Sequence, residues 1–164
     1  MSGHLSIYDV WGTDMKALVL AGYLVQKCLD EGWKITNLQL QKILYFIELR
    51  SIQLTGDRLI TNASFEAWRF GPVIPEVYFA YCLNAGLDID QTEEYSGLPK
   101  NEQPPVFVDS VLEHFIKSSP WSLVQLAHRP EGAWYKNYKE GMRRLIPVSD
   151  ITAEAKTCTY SLEG

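Results

Sequence analysis

TNLQLQKILYFIELRSIQLTG, residues 36–56, carries the clearest helical pattern in the chain and decides the fold class. Thr36 and Gln39 have the spacing of a capping box, in which the threonine accepts from the third helical amide and the glutamine reaches back. The apolar residues of the stretch follow at helical spacing: Leu40, Ile43, Leu44, Tyr45, Phe46, Ile47, Leu49, Ile52 and Leu54. A helix that is apolar over so much of its circumference is buried on several sides. We therefore expect it at the centre of the fold.

Further helices are predicted on both sides of this central one. Its own polar side is expected to be a narrow strip at Gln41, Lys42 and Glu48. Helical spacing or start signals occur at five other places: after Thr13 or Asp14, at Pro75, around Val108 to Phe115, at Ser119-Pro120 and after Pro147. Proline suits the first helical turn, and a serine before it suits the cap. The fold class is therefore predicted as mainly α.

A small β-hairpin is expected between the central helix and Pro75. Residues 59–60 and 65–70 have the composition of short extended segments, and residues 62–64 between them form turns readily. Gly71-Pro72 is expected to break the second strand. Residues 90–105 are polar and rich in turn formers, which predicts an exposed connection. With 164 residues in total, we expect one domain, residues 1–164.

The charge of the chain does not favour nonspecific nucleic-acid binding. The formal net charge is −5, whereas that kind of affinity comes from Lys and Arg that neutralise phosphates. One basic stretch stands out against Glu131 and Glu140: Arg129, Lys136, Lys139, Arg143 and Arg144. We interpret it as a solvated helix face, and keep it as a secondary surface for an acidic or nucleic-acid partner.

Cysteine usage and hydropathy predict a cytoplasmic protein with no membrane segment. The three cysteines, Cys28, Cys82 and Cys158, are an odd number and include no C-x-x-C pair, which is typical of a reducing compartment. The longest apolar run, residues 17–25, falls well short of the ~20 residues that cross a bilayer. No charged region and small-residue cleavage site precede it.

No motif in the chain predicts a catalytic residue, a metal or a cofactor. Zinc-ligand spacings and glycine-rich phosphate loops are absent from the sequence, and Cys28 and Cys82 fall on apolar helical stripes. One acid–base arrangement stays open, because Glu66 and the pair His128 and Glu131 would converge if the hairpin packed against the carboxy-terminal helices. An unrecognised hydrolase is therefore the third hypothesis for function.

FEAWRFGPVIPEVYFAY, residues 65–81, predicts a stiff corner that presents a surface. Neighbouring strand residues point to opposite faces, so if Trp68 packs inward, Arg69 points outward. Gly71-Pro72 and Pro75 restrict the backbone just beyond. A cation and an aromatic ring on a restricted backbone suit recognition of a partner. The predicted partner-binding residues are Trp68, Arg69, Phe70, Pro72 and Glu76.

The motifs LQKILYF and EAWRFGPVIPEVY, followed later by LVQLAHRPEGAW, resemble the Panacea domain family of antitoxins. The resemblance covers residues 38–138, and its core motif covers residues 38–81. The residues that match the motif are expected to have structural roles: Gln41, Lys42, Tyr45, Glu66, Gly71, Pro75, Tyr78, His128 and Trp134.

The resemblance implies a mostly helical domain with a small sheet that binds a toxin protein and performs no catalysis. Members of the family include phage-associated proteins and an adaptor for proteolysis. The expected partner is therefore a cognate toxin encoded nearby, and delivery to a cellular protease and a homodimer are left open. A DNA-associated regulator of a phage or mobile element is the second hypothesis for function.

Overall fold

The computed structural model describes residues 14–84, 86–91, 97–98 and 102–163. Its helices are α1 (Ala17–Glu31), α2 (Asn37–Thr55), α3 (Pro75–Ala80), α4 (Val106–Phe115), α5 (Pro120–Ala127), α6 (Ala133–Asn137) and α7 (Val148–Thr157). Its strands are β1 (Glu66–Trp68), β2 (Gly71–Val73) and β3 (Arg144–Leu145). A short 3₁₀ turn, Cys82–Asn84, follows α3. The predicted fold class, mainly α with a small sheet, is confirmed. Residues 92–96 and 99–101 of the predicted connection lie outside the described residues.

The central position predicted for α2 is confirmed. Both hydrogen bonds of the Thr36 and Gln39 capping box are formed, and Gly56 ends the helix in the left-handed conformation. Helix α2 contacts α1, α3, α4, α5, α7 and β2. Most of its apolar side chains, including Leu40, Ile43 and Ile47, are buried. The pattern of residues 36–56 therefore gave both the bounds of the helix and its burial.

The narrow polar strip expected on α2 does not face solvent, because Gln41, Lys42 and Glu48 are all buried. Glu48 accepts hydrogen bonds from the amides of Leu59 and Ile60 at 3.2 and 2.9 Å. Burial raises the pKa of Glu48, and the bond from Ile60 and the Arg58 guanidinium oppose that rise. Glu48 thus binds amides of a segment that lies outside the helices and strands, which is why its carboxylate lies inside.

The predicted hairpin exists, but its strands are different ones. Strands β1 and β2 pair antiparallel with Glu66 opposite Val73 and Trp68 opposite Gly71, so that Arg69 and Phe70 form the turn. Gly71-Pro72 begins β2 directly after the turn, instead of breaking a strand. Proline is tolerated there because β2 is at the edge of the sheet, in the order β2-β1-β3, and needs no amide for a further neighbour.

The third strand, β3, was not predicted, and it changes the interpretation of the basic stretch. Arg144 and Leu145 pair with Ala67 and Glu66 of β1. The basic residues from 129 to 144 were expected on one helix face. Helix α6 ends at Asn137, so they do not share one. The chain turns back after α6 and returns to the hairpin.

A buried carboxylate joins α7 to the core. Glu154 accepts hydrogen bonds from the hydroxyls of Tyr45 and Tyr160 and from the amide of Ala133. Burial and the neighbouring Glu154 hold the pKa of Tyr45 well above its usual range. The motif residue Tyr45 therefore connects α2, α6 and α7. Within the described ranges, no helix is both long and apolar enough to cross a membrane.

Candidate protein-interaction surface

Two side chains of α2 form hydrogen bonds to the backbone that follows the hairpin turn. Lys42 Nζ donates to the carbonyl oxygen of Pro72 at 2.6 Å, and the amide of Ile74 donates to Gln41 Oε1 at 2.9 Å. Gly71 has φ +113°, and a Cβ atom there would lie 2.6 Å from Lys42 Cε. Only glycine fits this combination of backbone angle and close approach. The motif residues Gln41, Lys42 and Gly71 thus form one interlocked unit.

A second hydrogen-bond chain fixes α3 beside the hairpin. Gln41 Nε2 donates to Asn37 Oδ1 at 3.1 Å, and Asn37 Nδ2 donates to the carbonyl oxygen of Tyr78 at 3.0 Å. Pro75 occupies the first turn of α3, as predicted. The corner between β2 and α3 is therefore tied to α2 at both of its ends.

The late part of the motif packs against the hairpin from the other side. Trp134 Nε1 donates to the carbonyl oxygen of Trp68 at 2.7 Å. The His128 ring stacks on Trp134 with a centroid distance of 3.5 Å, and Tyr138 stacks on the same tryptophan at 4.6 Å. His128 and Trp134 are distant in sequence from residues 66–78, and the fold brings both parts of the motif to one place.

The turn presents Arg69 and Phe70, which are both exposed. Arg69 was expected on a strand, but it lies in the turn itself. The residue of β1 that faces the core is Ala67. Trp68 is half-buried on the opposite face, where its Nε1 donates to Glu66 Oε2 at 2.7 Å and the Arg143 guanidinium lies 3.8 Å from its ring centroid.

The other two predicted contact residues differ in position. Glu76 is exposed in the first turn of α3, whereas Pro72 is buried and its carbonyl oxygen is bonded to Lys42. Pro72 therefore supports the turn and offers no side chain to solvent. The expectation for Pro72 came from its place in the corner, which does not reveal that α2 covers it.

Large apolar side chains are exposed around the turn. Phe70 and Trp121, which are 42% and 58% exposed, lie 5.3 Å apart, edge to face. Phe79, at 57% exposed, packs against Tyr78 beside Trp68. We call the turn and these neighbours the hairpin face: Trp68, Arg69, Phe70, Tyr78, Phe79, Trp121 and Arg143. Exposed apolar groups collected in one area are typical of an interaction surface.

Two recesses share Trp68 and Arg69 as a common wall. The first has a volume of about 280 Å³, and its lining also includes Leu38, Val73, Tyr78 and Cys82. The second has a volume of about 450 Å³ and is lined on its far side by Tyr138 and by residues 140–143. Leu38, Cys82, Trp121 and Met142 were not predicted as surface residues, since nothing in their local sequence pattern places them near the turn.

The secondary surface predicted from the basic stretch divides into separate parts. Arg143 covers Trp68, and Arg144 lies in β3, so both are next to the hairpin. Arg129 lies elsewhere, with its guanidinium 4.9 Å from the Tyr160 ring centroid. Lys136 and Lys139 are exposed. In the described part of the chain, Arg69, Arg143 and Arg144 form no ion pair with a carboxylate.

The groups proposed for acid–base chemistry do not form a catalytic arrangement. Glu66 is bonded to Trp68, and Glu131 is exposed. Burial and the nearby Lys42 lower the pKa of His128 to about 4, which makes its imidazole a weak base at neutral pH. Burial raises the pKa of Cys28 to about 12, so its thiol is a poor nucleophile. This geometry favours binding over catalysis.

Lys42 predicts a specific dependence of stability on pH. Burial lowers the pKa of Lys42 to about 7, whereas an unfolded lysine titrates near ~10.4. Above pH 7 the unfolded chain binds the proton that the folded chain has lost, so the free energy of unfolding should rise with pH, by up to ~1.4 kcal/mol per unit. Below pH 7 both states are protonated and this contribution is constant.

Denaturant unfolding from pH 7.0 to 8.0 measures this effect, because the cysteines with raised pKa values oppose it mainly above this range, where unfolded thiols, with a pKa of ~8.5, lose their protons. The matched variant is Lys42→Met, which keeps an apolar chain of similar length and has no amine. We expect the rise in the wild type and a flatter profile in the variant. Equal slopes in the two proteins would show that Lys42 is not the titrating group.

Comparison with known proteins agrees with this architecture. Residues 40–135 match the family model described as antitoxin SocA-like, Panacea domain, and this range includes α2, the hairpin and the His128 and Trp134 stack. The chain thus contains a Panacea domain. No solved structure matches it.

A curated relative places the chain more narrowly. The chain is 33% identical over 128 residues to "Antitoxin SocA" of Caulobacter vibrioides (strain NA1000 / CB15N), an alignment that covers 72% of this chain and 68% of the relative. The chain belongs to the SocA-like Panacea-domain antitoxin family.

Proposed function

We propose that this chain is an antitoxin that neutralises a partner toxin protein by binding it directly through the hairpin face. Membership of the antitoxin family supports a toxin as the class of partner. The observation that carries the proposal is the hairpin turn itself. It exposes Arg69 and Phe70, and the backbone just after it, at Pro72 and Ile74, is hydrogen-bonded to Lys42 and Gln41.

A turn fixed in this way lowers the entropic cost of binding. Ordering a flexible side chain or loop costs ~0.5–1.5 kcal/mol per immobilised side chain. In this chain much of the ordering is already present in the free protein, because the backbone of residues 72–78 is bonded to Asn37, Gln41 and Lys42. The partner therefore meets a preformed surface with exposed aromatic and arginine side chains, the residue types that dominate binding hot spots.

Co-expression with the product of the neighbouring gene tests the proposal. We expect the two proteins to co-purify as a stoichiometric complex and the toxin's growth inhibition to be relieved. Loss of co-purification on replacement of hairpin-face residues supports direct binding. If the complex is retained after those replacements, the toxin binds at a different surface of the chain.

The chain could neutralise the toxin by binding alone or by delivering it to a protease. One additional measurement distinguishes these two mechanisms. If binding alone neutralises the toxin, its level should stay constant after synthesis is stopped, and inhibition should be relieved in a purified assay. A toxin level that falls only in the presence of this chain and an active protease would show that the chain is an adaptor.

A further inference from the structure

The smaller of the two recesses suits one amino-acid side chain. It lies between the start of α2, the hairpin and α3, and its volume is about 280 Å³. Ligand pockets commonly measure ~300–1,000 Å³, so this groove is too small for a cofactor or a large metabolite. One large side chain from a protein fills a space of this size.

The interior of the groove calls for an apolar occupant. Leu38, Val73 and Cys82 contribute apolar surface. The two amides in the lining, Asn37 and Gln41, already bond to each other and to the backbone of Tyr78 and Ile74. A polar ligand would therefore gain little from these amides, whereas an apolar side chain would be removed from water.

The rim of the groove calls for a negative charge. Arg69 is the one charged residue in the described lining of the groove, and no carboxylate of a described residue pairs with it. Its guanidinium lies beside the Phe70 ring, 5.3 Å from the centroid. Arginine binds carboxylates through two parallel hydrogen bonds, and its planar group is stiff enough to keep that geometry.

We propose that this groove receives one large apolar side chain of the partner toxin, from a segment that also carries a carboxylate bonded to Arg69. The inference rests on the proposed function, since it specifies what the hairpin face recognises. It adds Leu38, Val73, Tyr78 and Cys82 to the contact surface and gives the toxin segment a chemical signature, an apolar side chain beside an acidic group.

A small molecule tests this chemistry without the toxin. 3-Indolepropionate carries a large apolar ring and a carboxylate, and its primary amide is the matched neutral control. In amide NMR spectra at millimolar concentration, we expect the acid to shift the signals of residues that line the groove. The acid should bind about three- to fivefold more tightly than the amide, the range of an exposed ion pair.

In Arg69→Gln the acid and the amide should bind with the same affinity, which should equal that of the amide for the wild type. If the acid and the amide bind alike to the wild type, or if the shifted signals lie outside the groove, the proposal is overturned.

Cys82 allows the same groove to be tested with the toxin. In a Cys158→Ser background the remaining thiols are Cys82, which lines the groove, and Cys28, which is buried. N-ethylmaleimide should modify Cys82 in the free protein and react much more slowly in the complex. The modified protein should bind the toxin about 30-fold or more weakly, as for loss of a hot-spot contact.

The control places the same label away from the groove. Val106 on α4 is 73% exposed and lines neither recess, so Val106→Cys in a Cys82→Ser, Cys158→Ser background should be labelled without loss of affinity. If the toxin binds the Cys82-labelled and unlabelled proteins equally, the groove proposal fails and the proposed function stands. If neither protein binds, the proposed function fails, and the indolepropionate measurement decides on the groove by itself.

Discussion

Replacement of Gly71 by alanine is expected to lower the free energy of unfolding by about 2–5 kcal/mol. The φ of +113° at Gly71 is a conformation that side chains rarely adopt, and the new Cβ would meet Lys42 Cε at 2.6 Å. Backbone strain of this kind costs ~1–3 kcal/mol. Lys42 must then move from the Pro72 carbonyl oxygen inside the core, and a broken buried hydrogen bond costs a further ~1–3 kcal/mol.

Thermal and denaturant unfolding measure this loss, and Gly141→Ala is the control. Gly141 also has a positive φ, 75°, but a Cβ there meets nothing within 4 Å. It should therefore show only the backbone cost, ~1–2 kcal/mol. Removal of the lysine chain in Lys42→Ala should reduce the effect of Gly71→Ala in the double mutant. Equal losses for the two glycine variants would mean that the contact with Lys42 is not significant.

Arg69→Ala is expected to weaken the toxin complex by at least ~30-fold, about 2 kcal/mol, with little change in the melting temperature. The side chain is exposed at the turn, so the fold does not depend on it. It borders both recesses, so its loss affects both parts of the proposed contact. Calorimetric titration with the purified toxin gives the affinity, and a thermal melt shows that the variant is folded.

Lys117→Ala is the matched control for charge, because Lys117 is exposed after α4 and lines neither recess. It should bind the toxin like the wild type. Unchanged affinity in a folded Arg69→Ala protein would show that the toxin does not bind at the turn. An equal loss in both variants would indicate a general attraction between opposite charges and no specific contact.

Most helices were predictable because their signals are local. The capping box at Thr36, the left-handed glycine at Gly56, and the prolines at the starts of α3 and α5 are all read from neighbouring residues. Hydrophobic spacing then indicated which side of each helix is buried. These signals were sufficient for the mainly α class and for the central place of α2.

The remaining features depend on partners that are distant in the sequence. Lys42 is buried because the carbonyl oxygen of Pro72, 30 residues later, accepts its hydrogen bond. Strand β3 is two residues long and forms by pairing with β1. No periodicity can reveal so short an element, so the sequence placed Arg143 and Arg144 on a helix. Local sequence predicts neither the Lys42–Pro72 hydrogen bond nor the pairing of β3 with β1, because both depend on tertiary packing.

The candidate surface was predictable in part, for the same reason. Trp68, Arg69 and Phe70 were proposed as contact residues because they stand directly before Gly71-Pro72 and Pro75. Their surroundings come from segments that are separate in the chain, around residues 37–41, 78–82, 121 and 138–143. The shape of the recesses between these segments could be learned only from the structure.

The most direct test of the hairpin face as the toxin-binding surface is hydroxyl-radical footprinting of the free chain and of its complex. This measurement reports the solvent exposure of individual side chains, and Phe70, Phe79 and Trp121 are all well exposed in the free protein. We predict that their oxidation falls several-fold in the complex, whereas that of Val106 on α4 does not change. A stable complex in which Phe70, Phe79 and Trp121 are oxidised at their free rates would contradict the account.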